Sequence, residues 1–423
     1  MNRITTIISL LIGLLAWQYY THNVPSTNET PRTSGYFHPA FRKVAEVFRE
    51  NLKSGLERGA SFAAYHKGQC LIDLYGGWSD HEVERHWQDN TLTISWSMVK
   101  GVAAVVIARL VDMGLLDYKT EVYKYWPEFE KNDKQNITVE MLMAHQAGLI
   151  GLDERLHLFD YRDNWTKVER LLAQQKPKWP AGSAQGYHGL TFGMYADALV
   201  RKVDKQHRNL SQFFQEEIAQ PLDIEFYIGL PLTEYHRFAR SKAATFWEQR
   251  FKYFDFYEII TNPHTSVAFD VVQVTEKLMT IPEYANIGFP SISGFGSARS
   301  LAKLYDYLAN KGSVKAKRLL SPNAVDLLLT PLNASTPNVF LLGIPMTRGL
   351  MVYTDGKGRH LIGHPGYGGN MAFADPEQNV GVAYFTNYLG GYRIDDPREV
   401  TLRETFYECF KDYKKSSPPI RSV

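Results

Sequence analysis

The stretch "ISWSMVKG", residues 94–101, contains a serine, Ser97, followed three positions later by a lysine, Lys100. A serine at a helix start lies beside unsatisfied backbone N–H groups, and a residue three positions on lies one turn above it on the same face. If Lys100 is buried, its pKa falls and the neutral amine can accept the serine proton. The alternative is a capping serine and a solvated lysine. The pattern alone is weak, because the chain repeats it at Ser300 and Lys303.

The residues after Ser97 favour a buried lysine. Residues 97–114, "SMVKGVAAVVIARLVDMG", carry apolar side chains on nearly every helical face. A helix that is apolar all round is a buried helix, and we expect Gly114 to end it. Burial of a lysine that has no functional role would be costly in free energy. The context therefore favours a catalytic reading of the pair more than the spacing does.

Strand patterns lie near both ends of the chain. Residues 61–80 contain two β-rich runs around a Lys67-Gly68 turn. Residues 348–387 contain further β-rich runs, the first of them with an Asp355-Gly356 turn. The middle of the chain is largely helical in pattern. We therefore expect an α+β fold, with an antiparallel sheet built from both ends and flanked by helices. The predicted division is 36–126 with 291–423 as an α/β domain, and 127–290 as an inserted, mainly α-helical domain.

Several functional classes are disfavoured by composition and motif. The formal net charge is only +2, and no basic run interleaved with aromatic residues suggests nucleic-acid binding. The chain has no Gly-x-Ser-x-Gly elbow and no Walker loop. "HEVERH" resembles a zinc-protease motif, but His81 and His86 are five positions apart where one helix face needs four. We expect no metal and no cofactor.

The N-terminus predicts membrane targeting. Arg3 precedes an uncharged apolar run at residues 4–20, near the lower limit of about 17 residues for a span. We expect residues 1–35 to be a signal anchor with its linker, giving a single-pass membrane protein with a lumenal or extracellular catalytic domain. A cleaved signal peptide and secretion are the alternative. Cys70 and Cys409 are either one disulfide or two free thiols. Sequons that suggest a glycoprotein lie at Asn28, Asn136, Asn164, Asn209 and Asn333.

Later motifs, in order along the chain, carry a family resemblance. The motifs are "SWSMVKG", "GLLDYKTEVYKYWPEF", "ITVEMLMAHQAGL", "PAGSAQGYHGLTFG", "SGFGSARSLAKLY" and "GHPGYGGNMAFADP". Together they resemble the serine β-lactamase and penicillin-binding-protein superfamily from about residue 36 to 410. The likeness is to its class C-like branch, with family VIII carboxylesterases and mitochondrial β-lactamase-like proteins. This resemblance implies a serine hydrolase that needs no cofactor.

The resemblance also implies roles for individual residues. Ser97 is implied as the acylated nucleophile, with Lys100 helping to deprotonate it. Tyr187 matches the tyrosine of the second family motif and is implied to share the proton transfers. The backbone N–H groups of Ser97 and Tyr367 are implied as the oxyanion hole.

The third motif and its surroundings are implied to line the cleft. His364 and Gly366 match the first and third positions of a Lys-Thr-Gly or His-x-Gly motif, and His188 follows the motif tyrosine. These three are the predicted substrate-binding residues. His145, in "MLMAHQAGL", reads as structural.

Two departures from the family pattern bear on the substrate. Gly189 stands where β-lactamases carry an amide that grips the acyl side chain. His364 replaces the lysine whose ammonium attracts the carboxylate of a β-lactam. We therefore expect a carboxylesterase acting on small esters, with a peptidase or amidase of the same fold as the alternative. A catalytically silent, membrane-tethered binding protein is the alternative from another class.

Overall fold

Strands from both ends of the chain meet in one antiparallel sheet, as predicted. The computed structural model describes residues 31–244, 261–332, 336–340, 343–392 and 394–416. The strands within them are β1 Thr33–Phe37, β2 Gly59–His66, β3 Gln69–Asp80, β4 Arg85–His86, β5 Thr93–Ile94, β6 Gln185–Gly186, β7 Phe226–Ile228, β8 Lys242–Ala243, β9 Gly294–Gly296, β10 Ser313–Val314, β11 Lys317–Arg318, β12 Asn338–Phe340, β13 Met351–Thr354, β14 His360–Pro365, β15 Met371–Asp375, β16 Val380–Thr386 and β17 Tyr388–Leu389.

Helices fill the middle of the chain and flank the sheet. The α-helices of the described residues are α1 Arg42–Lys53, α2 Val99–Asp112, α3 Val139–Met143, α4 Leu158–Asp163, α5 Trp165–Gln174, α6 Thr191–Val203, α7 Leu210–Phe214, α8 Gln220–Leu222, α9 Thr265–Phe269, α10 Pro282–Ala285, α11 Ala298–Ala309, α12 Pro322–Leu329 and α13 Pro397–Ser416. Short 3₁₀ turns join several of them, including the one at Trp96–Met98.

The order of the main sheet shows how the two ends combine. Its strands run β1-β3-β2-β16-β15-β14-β13, with β4 paired to β3. The N-terminal hairpin β2–β3 therefore lies directly against C-terminal strand β16, with Ala63 opposite Ala383. Consecutive strands can form hairpins, but the β2–β16 pairing joins residues far apart in sequence. This closure places β14, which carries His364, inside the sheet.

Two hydrophobic cores lie on opposite faces of the sheet. Side chains of a strand alternate between faces, and along β2 Phe62 and Ala64 enter one core while Ala63 enters the other. The first core is covered by α1 and α13, where Phe41 stacks on Phe406 with ring centroids 5.4 Å apart. The second contains α11 and α2. Residues 99–108, which are apolar or glycine except for Lys100, are buried because α2 lies within this second core.

Some boundaries differ from the sequence-based expectation. The core helix begins at Val99 and not at Ser97, because residues 96–98 form a 3₁₀ turn in front of it. The predicted stop is close, since Gly114 has a φ of 71° just beyond the end of α2. The described residues from Arg32 onward form one compact unit. The domain boundaries at 126/127 and 290/291 stay a prediction.

The predicted single-pass membrane protein is corrected. Within the part of the chain that the structure describes, no helix is both long and apolar enough to cross a membrane. The apolar run at residues 4–20, on which the anchor prediction rested, lies outside the described residues. Cys70 on β3 and Cys409 on α13 are free thiols, so the disulfide alternative is not formed.

Candidate active site

A tight turn between β5 and α2 presents Ser97. Trp96, directly before it, has a φ of 49°, a left-handed conformation that is rare for a bulky residue and marks local strain. The turn is anchored by Ser95, whose N–H donates to the Gly294 carbonyl at 2.7 Å. From Thr91 to Ala108, Ser97 is the one residue that is not buried. The fold thus brings a single hydroxyl of this segment to the protein surface.

Lys100 lies beneath that hydroxyl. Its side chain is 0% exposed, and Nζ lies 3.0 Å from Ser97 Oγ and 2.7 Å from the Ser291 carbonyl oxygen, to which it donates. Burial holds the pKa of the amine well below its usual 10.5. Among the described residues no carboxylate forms an ion pair with Lys100. The surroundings therefore favour a neutral amine, with a lone pair available to the serine proton.

Tyr187 lies on the other side of the amine. It follows β6 and precedes α6, and its own N–H donates to the Phe340 carbonyl at 2.9 Å. Lys100 Nζ is 5.1 Å from the centroid of the tyrosine ring. Tyr187 is thus brought to the Ser97–Lys100 pair from about ninety positions further along the sequence. This is the arrangement that the sequence predicted.

His364 lies across from Tyr187, on β14. The ring centroids are 6.2 Å apart. Nδ1–H of His364 donates to the Pro365 carbonyl at 2.7 Å, which leaves Nε2 as an acceptor. Burial and the nearby Lys100 lower the pKa of the ring to about 3. The imidazole is neutral at physiological pH, so it supplies no cation to the cleft.

The end of β14 approaches the Ser97 turn closely. A Cβ at Gly366 would come closer to the Ser95 carbonyl oxygen than van der Waals radii allow, so only glycine permits this approach. Tyr367 follows, with 52% of its side chain exposed and its ring edge-on to Trp96 at 5.6 Å. The backbone at Tyr367 therefore lies beside the turn that carries the Ser97 N–H. The oxyanion-hole role of this pair stays a prediction.

His188 is placed differently from the prediction. It is 0% exposed, its Nδ1–H donates to the Gly186 carbonyl at 2.6 Å, and its Nε2 accepts from the Leu149 N–H at 2.9 Å. Both ring nitrogens are used by the backbone. We therefore no longer expect His188 to contact a substrate.

Ser291 and Phe269 also lie near the site, and neither had a sequence signal. Ser291 supplies a carbonyl oxygen to Lys100, and its hydroxyl accepts from Gly193 and donates to Leu190. Gly189 leaves space, because a side chain there would meet Tyr187 and Phe269 only at ordinary contact distances of 3.5 and 3.9 Å. Phe269 is 46% exposed. An apolar ring thus borders the space beside the motif tyrosine.

The second Ser-x-x-Lys copy is not a catalytic pair. Ser300 Oγ donates to the Glu225 carbonyl at 2.6 Å, and Lys303 forms an ion pair with Asp223 at 3.0 Å. The hydroxyl and the amine of this second copy therefore have separate partners. No group of three or more His, Cys, Asp or Glu within the described residues is arranged to hold a metal ion.

Comparisons with known proteins bear on the family and the fold. The family model described as "Beta-lactamase" matches residues 44–404. The chain is 30% identical over 385 residues to "Esterase/beta-lactamase LipL" of Mycobacterium tuberculosis, covering 87% of each chain. It superposes on a crystal structure of a family VIII carboxylesterase with a TM-score of 0.81 at 32% identity, covering 89% of this chain and 100% of that one. A penicillin-binding-protein homologue from Caulobacter crescentus gives a TM-score of 0.79 at 32% identity, with the same coverage.

Proposed function

Because the chain belongs to the beta-lactamase family and is a hydrolase of that fold, we propose that it works through an acyl-enzyme on Ser97, with carboxylic esters as its substrates. One observation carries the proposal. The buried amine of Lys100 lies 3.0 Å from the Ser97 hydroxyl, and burial lowers its pKa. A neutral lysine within hydrogen-bond reach of a serine is the activated-nucleophile arrangement.

The first half-reaction follows from the positions of these groups. The Lys100 lone pair takes the Ser97 proton as Oγ forms a bond to the carbonyl carbon of the ester. The resulting oxyanion is stabilised by the backbone N–H groups of Ser97 and Tyr367, two fixed donors of the kind a tetrahedral intermediate requires. The intermediate then expels the alcohol, which takes the proton back from Lys100 directly or through Tyr187.

The second half-reaction reverses these roles. Water attacks the acyl carbon, and its proton passes to Lys100 or Tyr187 as general base. Collapse of the second tetrahedral intermediate breaks the bond to Ser97 Oγ, which is reprotonated. The carboxylic acid leaves. No step requires a metal ion or cofactor, and each proton has an acceptor within the group formed by Ser97, Lys100 and Tyr187.

Features of the site support an ester as the substrate. The neutral ring of His364 gives no ammonium to attract the carboxylate of a β-lactam. Gly189 has no amide to hold the acylamino group of an antibiotic. Two similar proteins, an esterase/beta-lactamase and a family VIII carboxylesterase, point the same way.

Paired substrates and paired variants test the proposal. We expect p-nitrophenyl butyrate to be hydrolysed faster than a peptide p-nitroanilide, and the Ser97→Ala variant to lose at least about 10³-fold in kcat, as nucleophile removal does. Ser300→Ala is the matched control, because it removes the serine of the second Ser-x-x-Lys copy and should keep full activity.

Three results would point elsewhere. Faster turnover of the anilide would favour the peptidase or amidase alternative. Equal loss in both serine variants would argue against Ser97 as the nucleophile. A folded protein that turns over neither substrate and is not labelled by a fluorophosphonate would favour a catalytically silent binding protein.

A further inference from the structure

His145, which the sequence marks only as structural, has unusual surroundings. It is 0% exposed and has a φ of 60°, in the left-handed region that few residue types tolerate. Its ring stacks on Phe192 at 4.9 Å and lies tilted against Tyr187 at 5.2 Å between centroids. A fully buried histidine in contact with a proposed proton-transfer residue is therefore a candidate for a role in the reaction.

Two hydrogen bonds tie His145 to the residues on either side of Tyr187. The Gly186 N–H donates to the His145 carbonyl at 3.1 Å, and the His188 N–H donates to His145 Nδ1 at 3.0 Å. With the Tyr187 N–H bound to Phe340, three consecutive backbone donors are fixed. Two of these three bonds end on one residue, His145.

The bond to Nδ1 also defines the form of the ring. An imidazole nitrogen that accepts a backbone N–H carries no proton, so the proton of the neutral ring lies on Nε2. Burial lowers the pKa of His145 well below its usual value. The neutral form that the bond requires is therefore also the form that the surroundings favour.

We propose that His145 is a positioning residue for the acyl-transfer reaction: its Nδ1 and its carbonyl together hold the 186–188 turn so that Tyr187 faces Lys100 and Ser97. This inference rests on the proposed function. The dependence on geometry is steep, because a misplacement of about 1 Å at a reacting group can cost about 10²-fold in rate.

Two substitutions separate positioning from packing. In His145→Asn the amide oxygen takes the place of Nδ1 and the ring is lost, and asparagine tolerates a positive φ. In His145→Phe the ring stacking is kept and Nδ1 is lost. Positioning through Nδ1 predicts that the Asn variant keeps more activity than the Phe variant. A packing role predicts the reverse order.

The measurement is the second-order rate of labelling by a fluorophosphonate–rhodamine probe, together with kcat and KM for p-nitrophenyl butyrate. We expect the Phe variant to lose about 10²-fold in labelling rate and kcat with little change in KM, and the Asn variant to lose at least tenfold less than Phe. Thr138→Ala is the stability control. It removes the N-cap of α3, the helix just before His145, without touching the turn, so it should lower Tm but leave kcat unchanged.

If the Phe variant does not fold, His145→Gln replaces it, because its amide reaches the Nε2 position and not Nδ1. The inference would be overturned if the Phe variant, or the Gln variant in its place, were labelled and turned over substrate as fast as the Asn variant or faster. A wild-type protein that is never labelled would instead refute the proposed function, so the two failures are distinguishable.

Discussion

Replacing Lys100 by methionine removes the proposed base while preserving the length of the buried side chain. Loss of a positioned general base costs about 10²–10⁴-fold in rate, which is about 2.7–5.4 kcal/mol of barrier at 1.36 kcal/mol per tenfold. The 3.0 Å separation of Nζ and Oγ puts Lys100 within direct reach of the serine proton. We therefore expect kcat/KM for p-nitrophenyl butyrate to fall by this factor in Lys100→Met.

Lys100→Met should gain stability relative to wild type as pH falls, because wild type carries a buried lysine whose pKa is lowered. The folded-state pKa of Lys100 lies well below 10.5, the value in the unfolded chain. As pH falls from 10.5 towards the folded pKa, Lys100 becomes protonated in the unfolded chain but stays neutral in the folded chain. The unfolded state is thereby favoured, so wild type loses stability. Methionine does not titrate, so the Lys100→Met variant has no such pH-dependent loss of stability. Against this, the Ser291 carbonyl loses its donor, at a cost of about 1–3 kcal/mol.

The assay combines kcat/KM with urea unfolding across pH in both proteins, and Lys100→Arg serves as the matched control. Arginine keeps a donor but is never deprotonated, so it should be as inactive as methionine. Wild-type activity should rise with pH through the folded pKa of Lys100. The reasoning is refuted if Lys100→Met or Lys100→Arg stays within tenfold of wild type, or if the stability difference between wild type and Lys100→Met is independent of pH.

Four further variants test the surrounding structure. Gly366→Ala should lose about 10²-fold in kcat/KM, because its Cβ pushes the end of β14 away from Ser95 and the Ser97 turn; unchanged ester hydrolysis would contradict this. Arg398→Met should lower both kcat and the free energy of unfolding. The buried guanidinium donates to the Gly368 carbonyl at 3.0 Å, beside Tyr367, so its loss should disturb the site. It also pairs with Asp396 at 2.8 Å, and breaking that buried pair should cost about 3–5 kcal/mol of stability. Arg403→Met, which breaks a different buried ion pair with Glu399, should lower stability in urea unfolding but leave kcat unchanged. The pKa of His364 is about 3 in the folded protein and 6.5 in the unfolded chain. Wild type should therefore lose stability relative to His364→Gln as pH falls from 6.5 towards 3. A difference in the free energy of unfolding between the two proteins that does not change over that range would rule out the neutral buried ring.

The sequence could predict those features that leave a local pattern. Alternating and β-rich runs with Lys67-Gly68 and Asp355-Gly356 turns predicted the hairpins. The location of these runs near both ends of the chain predicted the sheet. The Ser97–Lys100 pair was recognisable because an all-apolar helix around a lysine implies burial. Tyr187 and His364 could be placed only through the order of the family motifs, since neither has a distinctive context alone.

Features that depend on distant backbone could not be predicted. The acceptor for Lys100 is a main-chain carbonyl 191 residues away, and a carbonyl has no side-chain signature. His188 follows the motif tyrosine and reads as a cleft residue, yet its ring turns inward because two backbone groups satisfy it. The role of His145 depends on a positive φ and on bonds to both neighbours of Tyr187, which no spacing reveals.

The central claim is that Ser97 is the nucleophile, and mapping the site of covalent modification tests it most directly. The full-length protein would be treated with a fluorophosphonate, digested, and analysed by mass spectrometry. We expect one adduct, on the peptide that contains Ser97, and none on protein carrying Ser97→Ala. An adduct on Ser300 or another serine, or labelling that persists without the Ser97 hydroxyl, would contradict it.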